Sequence, residues 1–404
     1  MDDGKLSAAT NLPDDLVVEI LSRLPVRPLR RCKCVSRAWR DLISHSHHRR
    51  RLAQTVSGFF YHLHVDASCP PIVPYWRFTA SSPPPHPQGS PPPAAVDHAF
   101  AFLPSTSYAT TDTELLDSCN GLLLLRCCRA SSSSSLSLQP KPAPSSYAVC
   151  NPATGKWVEV PEPIYAEGTF GLSSDYLQGK RQTRLAALAF DPAVSSTRFH
   201  VLQLVEKDCF SFPLLSQNRF VVEAVEIYSS ETKSWVVCDC SEWRLGFQVT
   251  CTGQQGTYHD GSLHFALDDG AVMSVDTKGE ACSAGAGFIG RSRGRLLYVH
   301  KGSYAASVSV YALETRRGAE RWTLRHYTSA LDQFGRTLFK HHYGVVAVHP
   351  DGNVIFLFDG CRGMLMAYDM DRRTVRDIHP LAEASRQHPF LPYVPLYSLE
   401  ALSG

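Results

Sequence analysis

The chain has few charged residues, no long apolar run and almost no net charge. Only 19% of its 404 residues are charged, and 40 basic residues against 38 acidic ones leave a net charge of +2. This balance gives no support to a nucleic-acid binder relying on overall basicity. With 44% hydrophobic residues, the chain is also not of the highly charged, disordered kind. No apolar stretch approaches the roughly 20 residues needed to span a bilayer; Leu122–Leu125 and Val354–Phe358 are the longest obvious ones. The opening MDDGKLSAAT is polar and lacks the apolar centre of a secretory signal. No Asn-x-Ser/Thr acceptor occurs, and the cysteines number an odd 13, which favours free thiols in a reducing compartment over a disulfide framework. These absences fit a soluble protein of the cytoplasm, the nucleus or both.

The length suffices for one large or two ordinary domains with a sizeable core. The 27 prolines and 26 glycines are spread along the chain, as expected for many short elements separated by turns. Charge, by contrast, is uneven. From Arg23 to Arg51 ten basic residues face one acid, Asp41, so this segment carries +9 and the remainder −7. The first fifty residues therefore read as a separate module.

Residues 12–24 are LPDDLVVEILSRL. Leu16, Ile20 and Leu24 recur every four residues, and Val17 and Leu21 widen the stripe, as in an amphipathic helix. Pro13 suits the first helical turn, and Asp14 and Asp15 follow where the helix dipole favours negative charge. Pro25 ends the pattern and Pro28 opens a second, short helix. Val35, Ala38, Trp39, Leu42 and Ile43 outline a third. Three helices this short bury little by themselves, so the module is expected to lean on a partner.

Residues 11–50 resemble an F-box. The match runs in order through Leu12-Pro13, Glu19-Ile20-Leu21, Leu24-Pro25, Cys34-Val35-Ser36 and Trp39-Arg40-xx-Ile43. The resemblance implies docking onto the small Skp-type adaptor of a cullin–RING ubiquitin ligase. It also implies that Leu12, Pro13, Leu16, Ile20, Leu24, Pro25, Leu29, Val35 and Trp39 form or support the docking surface. The alternative is that the stripe is only the core of a helical cap on a larger domain. The basic segment reads as a solvated positive face that steers an acidic partner. Its alternatives are a nuclear-import patch at His47-His48-Arg49-Arg50-Arg51, and nucleic-acid binding, which lacks an aromatic platform here.

Low-complexity stretches come next. Residues 70–93 hold ten prolines, and residues 131–146 hold eight serines and three prolines. Polyproline conformations supply no ladder donors, so 68–95 is expected to be a linker or inserted loop, and 131–146 a loop within the adjoining β domain. The first ten residues are expected to be disordered. A ligand for a proline-recognition domain, or phosphorylation of the serines, are further readings of these loops.

From about residue 118 two units recur. One is a turn signal with apolar residues after it: CNGLLLL, HDGSLHFAL, GRLLYV and HPDGNVIFLF. The other is a strand, a polar turn and often a Trp: VCNPATGKWVEV, IYSSETKSWVV, MSVDTKGE, VYALETRRGAERW and AYDMDRRTVRDI. Turn centres at Gly155, Thr232, Thr277, Arg316 and Asp371 are separated by 77, 45, 39 and 55 residues. The shorter steps suit one four-stranded propeller blade each, and the longest leaves room for an additional or expanded blade. The fold class expected is thus α+β multidomain, a small three-helix module followed by an all-β propeller of six blades, with a β-sandwich as runner-up. Trp157, Trp235 and Trp322 are expected to pack between blades. SCNGLLLL, NPATGKWVEVP, DGSLHF and the closing LPYVPLYSLEAL resemble the F-box-associated, kelch-like β domain of plant F-box proteins, over residues 55–402. Phe59–His64 and Val394–Leu399 are then expected to lie together and close the ring.

Catalytic motifs are weak. Gly285-Ala286-Gly287-Phe288-Ile289-Gly290 satisfies G-x-G-x-x-G, and Gly290-Arg291-Ser292-Arg293-Gly294 satisfies G-x-S-x-G, but each needs a strand-to-helix context and residues 296–313 are β-rich. A flexible glycine loop is the plainer reading. Cys238, Cys240, Cys251 and His259 are the nearest approach to a metal set, at an unusual spacing. His341-His342 and His349 flank a strand with no nucleophile in fixed relation to them. No cofactor, metal or catalytic set is expected. The function these residues favour is a non-catalytic substrate-recognition subunit of a ubiquitin ligase, bound through the adaptor to cullin and RING subunits and through the propeller to an unidentified target protein. Its alternatives are a kelch-like propeller oxidase or hydrolase, and an F-box scaffold outside any ligase.

Overall fold

The computed structural model describes residues 12–24, 26–44, 48, 52, 56–62, 76–81, 100–103, 113–128, 145–164, 181–182, 185–209, 219–239, 256–266, 272–276, 281–283, 288–301, 307–316, 319–329, 343–381, 384, 390–396 and 402. The first ten residues, Pro25 and nearly all of 131–146 lie outside them. Helix α1, Asp14–Ser22, starts one residue after Pro13, the residue expected in its first turn. Pro13 is its extended N-cap (φ −54°, ψ 144°) and not part of the first turn; its carbonyl accepts the N–H groups of Leu16 and Val17. After a short helical segment, α2 (Val26–Cys32), helix α3 (Arg37–Ser44) is capped by Ser36, whose Oγ accepts the Trp39 N–H at 3.1 Å. Val17, Leu21, Leu29, Ile43 and Leu52 form a small buried core, with Leu24, Cys32, Trp39 and Leu42 packed against it. Among the described residues no helix is long and apolar enough to cross a membrane.

Beyond the helices, the described residues form six antiparallel sheets. Strands β1 (Gly58–His62) and β2 (Trp76–Ala80) pair with each other. Four-stranded meanders come after them: β3 (Thr113–Cys119), β4 (Leu122–Cys128), β5 (Ser145–Asn151) and β6 (Lys156–Val160) in one. The next sheet has five strands, β7 (Arg181–Gln182), β8 (Ala186–Ala189), β9 (His200–Cys209), β10 (Arg219–Ser229) and β11 (Ser234–Asp239). The 77-residue step is therefore an expanded blade and not an additional one. Three more meanders comprise β12 (Thr257–His259), β13 (Ser262–Ala266), β14 (Val272–Asp276) and β15 (Ala281–Ser283); β16 (Phe288–Ser292), β17 (Arg295–Lys301), β18 (Ser307–Arg316) and β19 (Ala319–Ser329); and β20 (Tyr343–Val348), β21 (Val354–Asp359), β22 (Met364–Asp369) and β23 (Thr374–Pro380). The last strand, β24 (Leu391–Tyr393), returns to β1, with Phe60 opposite Leu391 and Gly58 opposite Tyr393.

Six apolar clusters join these six sheets, each drawing residues from two neighbours. Leu122, Val149, Leu188 and Val201 join the second and third sheets; Leu204, Ile227, Leu263 and Phe265 the third and fourth. Val272, Ile289 and Tyr298 join the fourth and fifth; Val299, Val310, Ile355 and Leu357 the fifth and sixth. Phe59, Tyr61, Phe356 and Phe358 connect the sixth to the closing sheet, and Phe60, Trp76, Leu123 and Ala148 connect that sheet to the second. With no interface missing, the ring is closed: a six-bladed β-propeller. A sandwich would have one shared core. Trp157, Trp235 and Trp322 each fall in one of these inter-blade clusters, and the Trp235 Nε1–H donates to the Pro161 carbonyl of the adjacent blade at 2.8 Å. A buried polar chain also crosses between blades: the Tyr147 hydroxyl donates to Gln203 Oε1, and Gln203 Nε2 donates to Glu226 Oε2 at 2.8 Å.

The recurring sequence units are hairpins. Asn120-Gly121, Asp260-Gly261 and Arg293-Gly294 are two-residue turns with positive φ at both positions, the geometry that lets two twisted strands turn back directly. The Trp-bearing units join the third and fourth strands of a blade.

Two expectations change. The proline-rich stretch 68–95 is not wholly linker, because Trp76–Ala80 is strand β2. In ring closure β1 is as expected, but its partner is Leu391–Tyr393, upstream of 394–399. Residues 394–396 leave the sheet and cross the β3–β4 turn, where Asn151 Nδ2 donates to the Leu396 carbonyl at 2.9 Å. Gly121 makes that crossing feasible. At φ +95°, an added Cβ would meet Leu396 Cβ and approach the Val394 carbonyl oxygen and the Leu396 nitrogen at 2.6 and 2.7 Å. Gly121→Ala is therefore expected to lower unfolding free energy by about 2–4 kcal/mol, from combined strain and backbone clash, as read by chemical denaturation.

Candidate functional site

Two places gather exposed or unusual groups: one face of the helical module, and the mouth of the propeller's channel.

On the module, the amphipathic stripe splits in two. Val17, Val18 and Leu21 are buried, whereas Leu12, Leu16 and Ile20 are 51%, 51% and 50% exposed. These three lie at i, i+4 and i+8, one line along α1 and its approach. Val35, in the turn before α3, is 65% exposed, and Pro13 is exposed as well. Of the other residues assigned to docking, Leu29 is buried, and Leu24 and Trp39 pack on the module's own core. These three belong to the module's own packing. Arg31, Arg37 and Arg40 are exposed, and Arg23 pairs with Glu19 at 3.0 Å within α1.

The channel is lined by the innermost strand of each sheet, and β3, β12, β16, β20 and β24 frame a cavity of about 380 Å³ at one mouth. The blades are tied together around it. Ser118 Oγ donates to the Pro392 carbonyl at 2.7 Å, Thr257 Oγ1 to the Ile289 carbonyl at 3.0 Å and Asn120 Nδ2 to the Phe190 carbonyl at 2.5 Å. Cys119 is buried beside them, and burial and the nearby Asp117 push its thiol well up. Ser292, the serine of the G-x-S-x-G match, is also buried, and its hydroxyl donates to the Gly352 carbonyl at 3.1 Å. Residues 288–294 form a strand and a tight turn with a second strand after it, so both glycine motifs lack their helix; Gly285–Gly287, where the expected glycine loop begins, lie outside the described residues. Of the metal set, Cys240 and Cys251 lie outside as well, Cys238 packs against an inter-blade core, and His259 sits at the channel mouth. His341 and His342 are also outside. His349 Nδ1 accepts the Asp351 N–H, and burial lowers its pKa.

Asp117, on β3, went unnoticed in the sequence because nothing local distinguishes it. It is buried, and its two carboxylate oxygens accept N–H groups of Leu188 and Ser118, each at 2.7 Å. Desolvation outweighs these donors and raises its pKa from 3.8 to about 7. The folded protein thus keeps a proton that the unfolded chain releases near pH 4. This contribution to stability is fullest below the unfolded pKa and is lost as pH rises through about 7. Burial lowers His264 to about 4, which acts in the opposite sense at acid pH, so the comparison is between variants. The stability difference between wild type and Asp117→Asn is expected to change by roughly 2–4 kcal/mol between about pH 4 and pH 8, read by thermal unfolding.

The architecture defines a class: a small helical module followed by a closed six-bladed β-propeller. Residues 10–51 match the family model of the F-box domain. The chain thus carries an F-box domain ahead of its propeller. It is similar to F-box only protein 12 of Arabidopsis thaliana, at 51% identity over 35 residues, 9% of each chain. A second Arabidopsis thaliana protein, named as an F-box protein, is 25% identical over 167 residues, 39% of this chain and 34% of that relative. The chain therefore spans about a third or less of the length of these curated relatives. Among solved structures it is similar to a chain of a nidogen/laminin complex, with TM-score 0.38 and 9% identity over 84% of this chain and 95% of that one. It is also similar to one of a mitotic checkpoint complex, with TM-score 0.36 and 11% identity over 70% and 87%. The blade count rests on the strand pairing described above.

Proposed function

We propose that this chain is the substrate-recognition subunit of an SCF-type (Skp–cullin–F-box) E3 ubiquitin ligase. Its three helical segments form the F-box and hold a Skp-type adaptor, which joins cullin and RING subunits. The propeller, read as an F-box-associated, kelch-like domain, captures the target protein. The observation that carries this reading is the exposed apolar line Leu12, Leu16 and Ile20, with Val35, inside the residues that match the F-box domain. The basic residues exposed around this line favour approach of an acidic partner. The chain's task is proximity: it raises the effective concentration of target lysines near the charged conjugating enzyme, which requires no catalytic side chain of its own. On this reading it acts in the cytoplasm, the nucleus or both.

The test is reconstitution. The purified full chain is expected to co-elute with a plant Skp-type adaptor, and the pair with cullin and RING subunits. A folded chain that does not bind adaptor overturns the proposal. One that binds adaptor but recruits no cullin is a scaffold and overturns the ligase part.

A further inference from the structure

The inner strands of five different blades meet at the channel mouth, so the 380 Å³ cavity exists only in the closed ring and is of the size that small-ligand pockets have. Arg291, on β16, lines it half-buried. Among the described residues this guanidinium makes no hydrogen bond and no ion pair, although it carries five donors. Its neighbour Arg293 lines the same cavity but is tied to the wall through Nε, which donates to the Asp351 carbonyl at 3.1 Å. The charge of Arg291 reaches the Tyr258 hydroxyl and the Cys119 thiol, where it opposes the upward shift that burial imposes on both.

We propose that this cavity binds a short acidic segment of a target polypeptide, with an Asp or Glu carboxylate held by Arg291. The inference deepens the target-recognition reading above and rests on it. Asp191, Asp260 and Asp351 line the same mouth and choose between anions. A doubly charged phosphate would meet three carboxylates against two guanidinium groups, that of Arg293 already held in part by a carbonyl. A single carboxylate matches the two parallel donors of one guanidinium, and the flanking aspartates then suit the N–H groups of a peptide backbone or a neighbouring basic side chain. Asp191 is placed for this by its own loop, where one of its oxygens accepts the Ala193 N–H at 2.8 Å.

The test pans a phage-displayed library of random dodecapeptides on the full chain and measures the enriched peptides by fluorescence anisotropy. Enriched sequences are expected to share an Asp or Glu. Affinity should fall at least tenfold when that residue becomes Asn or Gln, and at least tenfold for Arg291→Glu. Arg291→Met serves the same comparison if the Glu variant melts early. No enrichment, enrichment of peptides without an acid, equal binding by a folded Arg291 variant, or stronger competition by inorganic phosphate than by acetate would each overturn the proposal. Adaptor binding is read on the same preparations. A chain that binds acidic peptides but no adaptor sinks the ligase reading alone, and one that binds adaptor but no acidic peptide sinks this inference alone.

Discussion

Replacing Leu16 and Ile20 together by aspartate is expected to abolish capture of a Skp-type adaptor while the protein stays folded. Both side chains are about half exposed in the free chain, so neither contributes much to the module's own core. Covering the exposed half of each in a partner contributes roughly 0.7–1.5 kcal/mol. Their joint loss corresponds to at least about tenfold weaker binding, and the larger cost of placing two carboxylates in an apolar contact is added to it. Binding would be measured by calorimetry or surface plasmon resonance, with circular dichroism as the folding check. The contrast is Leu21→Asp, one position along the same helix, which is expected to unfold the module because Leu21 is wholly buried. If the Leu16/Ile20 double variant binds adaptor normally, the docking face lies elsewhere.

The second large effect concerns a residue inside the proline-rich stretch. Trp76→Ala is expected to destabilise the propeller by about 3–5 kcal/mol, the range for truncating a buried large aromatic. Trp76 is 2% exposed, packs with Phe60, Phe100 and Leu123, and lies with its ring 5.8 Å from that of Phe100. It belongs to the sheet that joins the two ends of the ring, so its loss loosens closure as well as local packing. Denaturant unfolding would read the change. A loss below about 1 kcal/mol would mean that β2 is a loosely held appendage and not part of the core.

Much of the architecture was legible because its signals are local. Asn120-Gly121, Asp260-Gly261 and Arg293-Gly294 announce two-residue hairpins, since few residues other than glycine accept positive φ cheaply. The Trp-bearing hairpins announced the outer strands in the same way. The stripe on α1 was visible as a period of 3.6. Periodicity places Leu16, Val17, Ile20 and Leu21 on one side of a helix, but which half of that side is covered depends on where α3 crosses it. The docking candidates therefore separated into exposed Leu16 and Ile20 and core-forming Leu24, Leu29 and Trp39 only in three dimensions. Strand β2 was hidden by the prolines around it. The register of closure was hidden because apolar residues run through both Leu391–Tyr393 and 394–399, and only the hydrogen bond from Asn151 and the close fit at Gly121 select between them.

The near-neutral composition, the basic amino-terminal segment, the F-box motif and the repeating hairpins were determined by the sequence alone, because each depends on neighbours within a few turns of chain. Closure of the ring, the raised pKa of Asp117 and the place of Arg291 in the channel mouth were decided only by the tertiary structure. Each is set by groups from separate blades, and the burial or position of a charge is a property of the space that those blades enclose.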